Sequence, residues 1–196
     1  MSRGAAARVE SRLGGGADWH YSERPMSEGI VLPHLPRPTL LEAAARVARL
    51  EAALPQIRAV VAGETDLVAI EATLASLLWQ TMAQASWCGF YRRIGPTLLA
   101  VGPYQGSMGC MRIEFERGVC GAAARTGRIQ LVPDVDAFPG HIACDDATRS
   151  ELVVPFWVAG ELAGVLDLDA PMLDAFCPRE AELLDELLRD VTRGAR

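Results

Sequence analysis

Lysine is absent from this 196-residue chain, in which all nineteen basic residues are arginine. Mechanisms that need a lysine, such as Schiff-base chemistry or phosphate binding by a Walker-type loop, are therefore excluded. Histidine is nearly as scarce, because two of the three histidines, His20 and His34, fall in the Gly-, Pro- and Arg-rich N-terminal segment. His141 is left as the histidine that could act near the cysteines discussed below.

Long apolar runs are missing as well. No stretch reaches the roughly 18 residues of a membrane span, and the N-terminus lacks the apolar core of a signal peptide. We therefore expect a cytoplasmic protein that binds no membrane. The net charge of −6 argues against nucleic acid as a partner. In a reducing compartment, a set of five cysteines is more typical of catalysis or metal binding than of structural disulfides.

What is present suffices for one packed domain, since half of the residues are hydrophobic. Residues 1–38 are predicted to form a flexible tail, and residues 39–196 a single domain. Helical periodicity begins near Thr39, with Pro55 expected to kink or split the first helix, and it returns over residues 64–84. A further amphipathic helix is predicted to begin at Pro178.

The middle of the chain alternates with period two and is punctuated by Gly and Pro. A short helix over residues 118–127, ended by Gly127, interrupts this pattern. The predicted fold class is α+β: a central, mostly antiparallel sheet of six strands flanked by N- and C-terminal helices. The predicted strands cover residues 86–93, 97–102, 109–116, 128–135, 151–159 and 162–170.

Three cysteines, Cys110, Cys120 and Cys144, lie ten and then twenty-four residues apart in a loop-rich segment. A cysteine acts as a nucleophile in its thiolate form, and a second thiol is needed if the product is to be a disulfide. These cysteines therefore indicate a thiol-dependent enzyme. Cys88 and Cys177 are interpreted as core or incidental residues.

Two carboxylates, Asp167 and Asp169, stand two residues apart on a predicted strand and should project from one face. Glu151 could join them across a hairpin at Gly160. Together they would form an anionic pocket for an ammonium group, and their crowding would raise a carboxyl pKa enough to supply a proton donor near neutrality. The alternative is a solvated strand face.

Two aromatic residues, Trp87 and Tyr91, share a strand face with Gly89 between them. The glycine would leave space for a small apolar group, such as the methyl end of a thioether. The alternative is an aromatic pair in the core.

Two other chemistries use the same cysteines. One alternative is a zinc site with four ligands: Cys110, Cys120, Cys144 and His141. The paired Cys-x2–4-Cys spacing of structural zinc sites is missing, however. A cysteine hydrolase would use His141 as its base, but no local motif of a known protease type is present.

Seven segments, taken in order, resemble the free methionine-(R)-sulfoxide reductase family, a catalytic branch of the GAF fold, over roughly residues 40–178. They are Trp-Cys-Gly-Phe-Tyr at 87–91, Gly-Pro-Tyr-Gln-Gly at 102–106, Cys110, Gly-Val-Cys-Gly at 118–121, Phe-Pro-Gly-His-Ile-Ala-Cys-Asp at 138–145, Ser-Glu-Leu-Val-Val-Pro at 150–155 and Gly-Val-Leu-Asp-Leu-Asp at 164–169.

The resemblance implies reduction of free methionine-(R)-sulfoxide without a bound cofactor. The Cys144 thiolate would attack the sulfoxide sulfur while a carboxylic acid protonates the oxygen, which leaves methionine and a cysteine sulfenic acid. Cys110, or alternatively Cys120, would then form a disulfide that a thioredoxin-type dithiol reduces. Members of the family differ over whether the position of Cys120 or that of Cys144 attacks first.

The resemblance also assigns roles to the remaining candidates. Glu151, Asp167 and Asp169 would hold the substrate ammonium, with Glu151 and Asp169 assisting at the oxygen, and Trp87 and Tyr91 would form an aromatic wall. GAF domains of this size often pair through their terminal helices, so a homodimer is one option, but the sequence does not fix the oligomeric state. The rival function is a non-catalytic GAF module that senses a small molecule; the three spaced thiols favour the reductase, because a sensor does not need them.

Overall fold

The structure is a computed structural model that describes residues 35–141 and 145–196. Its centre is one antiparallel sheet with the strand order β3-β2-β1-β6-β5-β4. The strands are β1 (Trp87–Arg93), β2 (Leu98–Gly106), β3 (Arg112–Glu114), β4 (Gln130–Val132), β5 (Ser150–Val158) and β6 (Glu161–Ala170). The predicted α+β class with a six-stranded antiparallel sheet is confirmed.

Three strands differ from their predicted length by more than one residue. β2 continues beyond Gly102 because residues 104–106 still pair with 87–89 of β1. The edge strands β3 and β4 contain three residues each instead of eight, since each pairs with one neighbour along a short stretch.

Four α-helices belong to the described residues: α1 (Ala43–Val61), α2 (Leu67–Thr81), α3 (Gly118–Thr126) and α4 (Pro178–Val191). α1 continues through Pro55, so the predicted split does not occur. Proline removes one backbone donor, but the buried residues Leu54 and Ile57 on either side of it keep the helix packed in the core. α3 ends at Gly127, which adopts the left-handed conformation with φ 63°, as predicted.

The two faces of the sheet have different neighbours. One face is mainly apolar and packs with residues of α1, α2 and α4; its strand residues include Cys88, Phe90, Leu152, Val154, Leu166 and Leu168. The opposite face packs Tyr91, Val153 and Val165 with Val119 and Ala123 of α3. Because strand side chains alternate, the polar candidates all fall on this second face, beside α3.

The first described residues contact the domain. The Arg37 guanidinium lies over the Trp79 ring at 4.0 Å and donates hydrogen bonds to the carbonyls of Met82 and Ala85 at 3.0 and 3.1 Å. Most of the predicted tail, residues 1–34, lies outside the described residues, so the domain boundary stays a prediction. None of the described helices combines the length and the apolar character that crossing a bilayer requires.

Candidate active site

A cleft opens on the α3 face of the sheet. Seven of the residues that line it were candidates for a role in chemistry: Trp87, Tyr91, Cys120, His141, Glu151, Asp167 and Asp169. The structure thus brings the predicted carboxylates and aromatic residues into one site. Cys144 lies outside the described residues.

Strand register is what gathers the carboxylates. Asp169 of β6 pairs with Glu151 of β5 on one side and with Trp87 of β1 on the other. Asp167, two residues earlier, pairs with Gly89 and therefore projects from the same face. The alternation that predicted an acidic cluster thus places three carboxyl groups beside the two aromatic rings.

Two members of the cluster are buried and Asp169 is half-buried, which distinguishes the cluster from a solvated strand face. Glu151 and Asp167 are each 5% exposed, and Asp167 Oδ1 has no hydrogen-bond partner among the described residues. The Cys120 thiol, at the start of α3, donates to Glu151 Oε1 at 3.9 Å. An unpartnered buried carboxylate oxygen is costly, and Asp167 Oδ1 is available to accept a hydrogen bond in the cleft.

Burial raises the pKa of every member of the cluster. The pKa of Asp167 rises to about 7, and burial and then the neighbouring Asp167 charge hold the pKa values of Glu151 and Asp169 well above their usual range. Fewer than three negative charges are therefore present at neutral pH, and a protonated carboxyl is available as a donor. Burial, followed by the charges of Asp167 and Glu151, raises the pKa of the Cys120 thiol well above its usual range.

The contribution of the Asp167 carboxyl to the stability of the fold is expected to fall as the pH rises from about 4 to 8. The pKa of Asp167 is about 7 when folded and about 4 when unfolded, so the folded state binds the extra proton between these values. The resulting stabilisation is complete below pH ~4 and is lost as the pH rises through 7, at up to about 1.4 kcal/mol per pH unit. Urea unfolding of the wild type and Asp167→Asn at several pH values measures this slope.

The free energy of unfolding of Asp167→Asn should fall less steeply with pH than that of the wild type. Glu71→Gln provides a matched comparison, because burial also raises the pKa of Glu71 to about 7, and its carboxylate lies 3.5 Å from Arg92 Nε, away from the cleft. Each substitution should remove its own share of the slope. Equal slopes in the wild type and Asp167→Asn would contradict the raised pKa.

The aromatic wall differs from its prediction in one respect. The Trp87 and Tyr91 rings stack on each other, with centroids 5.5 Å apart, so no slot for a methyl group lies between them. Tyr104 of β2 stacks on Trp87 at 5.2 Å. A Cβ at Gly89 would clash with the Tyr104 Cβ, so Gly89 makes room for Tyr104. Sequence reasoning missed Tyr104, although it belongs to the quoted segment at 102–106.

The loop over residues 107–111 lies directly on this wall. Trp87 Nε1 donates to the Ser107 carbonyl at 3.0 Å, and a Cβ at Gly109 would stand 2.8 Å from the Tyr91 hydroxyl oxygen. The Ser107 hydroxyl donates to Asp145 Oδ2 at 2.9 Å. These contacts place half-buried Cys110 above the rings and connect its loop to the residue that follows Cys144 in the sequence.

The other cysteines and the histidine take lesser positions. Cys88 is fully buried on the opposite face of the sheet, and Cys177 precedes α4; both are free thiols, consistent with their interpretation as core or incidental residues. Burial lowers the pKa of His141, so the imidazole is neutral at pH 7.

The geometry also bears on the zinc alternative. Among the described residues, the group with metal-ligand geometry is Cys120, Glu151 and Asp167, whose ligand atoms all lie within 4.8 Å of one another. This set shares one residue, Cys120, with the zinc site considered from the sequence. Glu151 and Asp167 of this set also belong to the carboxyl cluster of the cleft. A metal ion and an ammonium group would therefore compete for the same position.

Comparison with known proteins places the chain in a family. The family model described as GAF domain matches residues 64–194. The free methionine-R-sulfoxide reductase of Escherichia coli (strain K12) is 38% identical over 135 residues, which are 69% of this chain and 81% of that protein. The protein of the same name from Saccharomyces cerevisiae is 37% identical over 67% of this chain and 77% of its own length.

Solved structures agree with these relatives. The X-ray structure of free methionine-R-sulfoxide reductase from Neisseria meningitidis, in complex with its substrate, is 40% identical and superposes with a TM-score of 0.72. The match covers 82% of this chain and 94% of that one.

Proposed function

This chain belongs to the free methionine-R-sulfoxide reductase family of GAF-domain proteins, and we propose on that basis that it reduces free methionine-(R)-sulfoxide to methionine. The observation that carries the proposal is the cluster of buried Glu151 and Asp167 with half-buried Asp169 beside an aromatic wall. Such a cluster fits a ligand that brings an ammonium group and an oxygen in need of a proton.

The carboxyl groups divide the work between binding and proton transfer. The unpartnered Asp167 Oδ1 and Asp169 accept hydrogen bonds from the substrate ammonium, whose positive charge favours their ionised forms. The raised pKa of Glu151 keeps this group protonated near neutral pH, so that it can give its proton to the sulfoxide oxygen. Stacked Trp87 and Tyr91 provide the apolar surface for the thioether end.

Cys144 is the attacking residue in this proposal. Its thiolate bonds to the sulfoxide sulfur, the oxygen is protonated and moves to the cysteine sulfur, and methionine leaves a sulfenic acid behind. Cys120 is unsuited to this role, because burial and neighbouring carboxylates hold its pKa high and a neutral thiol is a poor nucleophile. We assign it to the support of Glu151, with which its thiol interacts.

Cys110 resolves the sulfenic acid. Its thiolate attacks the oxidised sulfur, water leaves, and a Cys110–Cys144 disulfide forms. In support of a resolving role, Cys110 is disulfide-bonded, whereas Cys88, Cys120 and Cys177 are free thiols. A thioredoxin-type dithiol returns the pair to thiols. No bound cofactor is needed, and the reducing cytoplasm is the expected place of action.

Selectivity for the free amino acid tests the proposal. N-acetylation removes the positive charge that the buried carboxylates would bind, so kcat/KM for N-acetylmethionine sulfoxide should fall by at least about a hundredfold relative to the free amino acid. Methionine release measured with dithiothreitol as reductant gives both values. Comparable turnover of the two compounds would remove the ammonium from the recognition scheme.

A further inference from the structure

Two methionines beside the redox cysteine are unusually exposed. Most large apolar side chains among the described residues are buried, but Met108 is 77% and Met111 61% exposed. They stand on either side of Gly109 and Cys110 in the sequence. We call Met108 and Met111 together the methionine rim. The other exposed large apolar residues, such as Val68 on α2, lie on elements remote in sequence from Cys110.

The structure holds the methionine rim outward. Beneath it, the Gly109 backbone lies against Tyr91 and Trp87, since a Cβ at Gly109 would stand 2.8 and 3.2 Å from their atoms. On the far side, the Met111 carbonyl accepts a hydrogen bond from the Val101 amide at 3.3 Å. The backbone of the loop is therefore held by its contacts at Gly109 and Met111, and the side chains of Met108 and Met111 extend into solvent.

Solvent exposure of this kind costs free energy that an interface would recover. Apolar area is stabilised when it is removed from water, and methionine adapts its unbranched, polarisable side chain to partner surfaces of different shapes. The position of the rim restricts the partner. A protein that reduces a disulfide at Cys110 must bring its own sulfur into bonding contact there, and its surface then covers the residues on both sides.

We propose that the methionine rim is the docking surface for the thioredoxin-type protein that reduces the enzyme. This inference rests on the recycling step of the proposed function. The partner's thiolate attacks one sulfur of the Cys110 disulfide, that bond breaks, and a mixed disulfide forms. The partner's second thiol then displaces it, so that the enzyme regains two thiols and the partner leaves as a disulfide. The apolar surface around the partner's active cysteine packs on Met108 and Met111 during this exchange.

Comparing two reductants isolates the docking surface. Dithiothreitol reaches the disulfide without a protein interface, whereas thioredoxin needs one. For Met111→Asp, we expect kcat/KM for thioredoxin to fall at least tenfold, while turnover with saturating dithiothreitol stays within twofold of wild type. Met111→Leu keeps the apolar area and should retain the wild-type kcat/KM for thioredoxin. Val68→Asp, an equally drastic change on the α2 surface, should alter neither reaction.

Met108 also borders the cleft, so Met108→Asp is assessed by the ratio of the thioredoxin to the dithiothreitol rate, which cancels effects on substrate binding. Unchanged thioredoxin kinetics in Met111→Asp would overturn the proposal. An equal loss of activity with both reductants would also overturn it. A loss of self-association in Met111→Asp, measured by analytical ultracentrifugation, would overturn it too, because it would assign the methionine rim to contact with a second copy of the chain. Failure of thioredoxin to support wild-type turnover, with dithiothreitol active, would reject protein recycling itself and leave the reductase function standing.

Discussion

Cys144→Ser is expected to abolish turnover, with methionine release at least about a thousandfold below wild type. A serine hydroxyl is un-ionised at neutral pH and cannot accept the sulfoxide oxygen as a sulfenic acid. The free Cys120 thiol should not compensate, because its pKa is held high by burial and by Asp167 and Glu151. Methionine release from free methionine-(R)-sulfoxide, measured by amino-acid analysis with dithiothreitol present, gives the loss directly.

Two matched serine variants separate the roles of the cysteines. Without added thiol, Cys110→Ser should release one methionine per chain and stop, because the sulfenic acid forms but no disulfide follows. Cys88→Ser changes a cysteine on the opposite face of the sheet and should retain multiple turnover. Full turnover by Cys144→Ser, together with an inactive Cys120→Ser, would exchange the assignments of these two cysteines.

Asp169→Asn should raise the KM for methionine sulfoxide by about a hundredfold while leaving the protein folded. The substitution removes a carboxylate that would pair with the substrate ammonium in a buried site, where charge-assisted hydrogen bonds contribute most. It also relieves the crowding of Asp169 with Asp167, which raises the pKa of Asp169. The melting temperature of the ligand-free variant should therefore be equal to or above that of the wild type.

Asp174→Asn serves as the control for this change, since Asp174 is exposed and its left-handed conformation, φ 52°, accommodates asparagine readily. Its kinetics should match those of the wild type. A collapse of the melting temperature in Asp169→Asn would instead indicate that Asp169 serves the fold.

Strand alternation explains why the carboxyl cluster of Glu151, Asp167 and Asp169 could be predicted from the sequence. Asp167 and Asp169 share a face by spacing alone, and the tight turn at Ala159 and Gly160, both with positive φ, returns the chain so that Glu151 pairs with Asp169. The left-handed end of α3 at Gly127 was likewise a local property of glycine. Features fixed by neighbours in sequence or by one hairpin were therefore accessible.

Features that depend on packing between residues distant in sequence could not be predicted. The gap expected over Gly89 disappears because the pairing of β1 with β2 sets Tyr104 beside it, and that register includes an irregularity between Gly89 and Tyr91. The raised pKa of Cys120 likewise arises from α3 docking onto the sheet. Pro55 was expected to interrupt α1, but tertiary contacts on both sides of it outweigh a local preference.

The exposed methionines illustrate the same limit. Met108 and Met111 appear in the sequence as ordinary loop residues, and only their exposure above the aromatic wall separates them from core methionines such as Met82.

The most direct test of the account is methionine release from the separate R and S epimers of free methionine sulfoxide, with dithiothreitol as reductant. The account predicts multiple turnover of the R epimer and none of the S epimer, because one arrangement of ammonium, oxygen and thioether satisfies the carboxyl cluster and the aromatic wall together. Release from neither epimer, with the cysteines verified as reduced, would contradict the reductase and favour a GAF module that senses a small molecule.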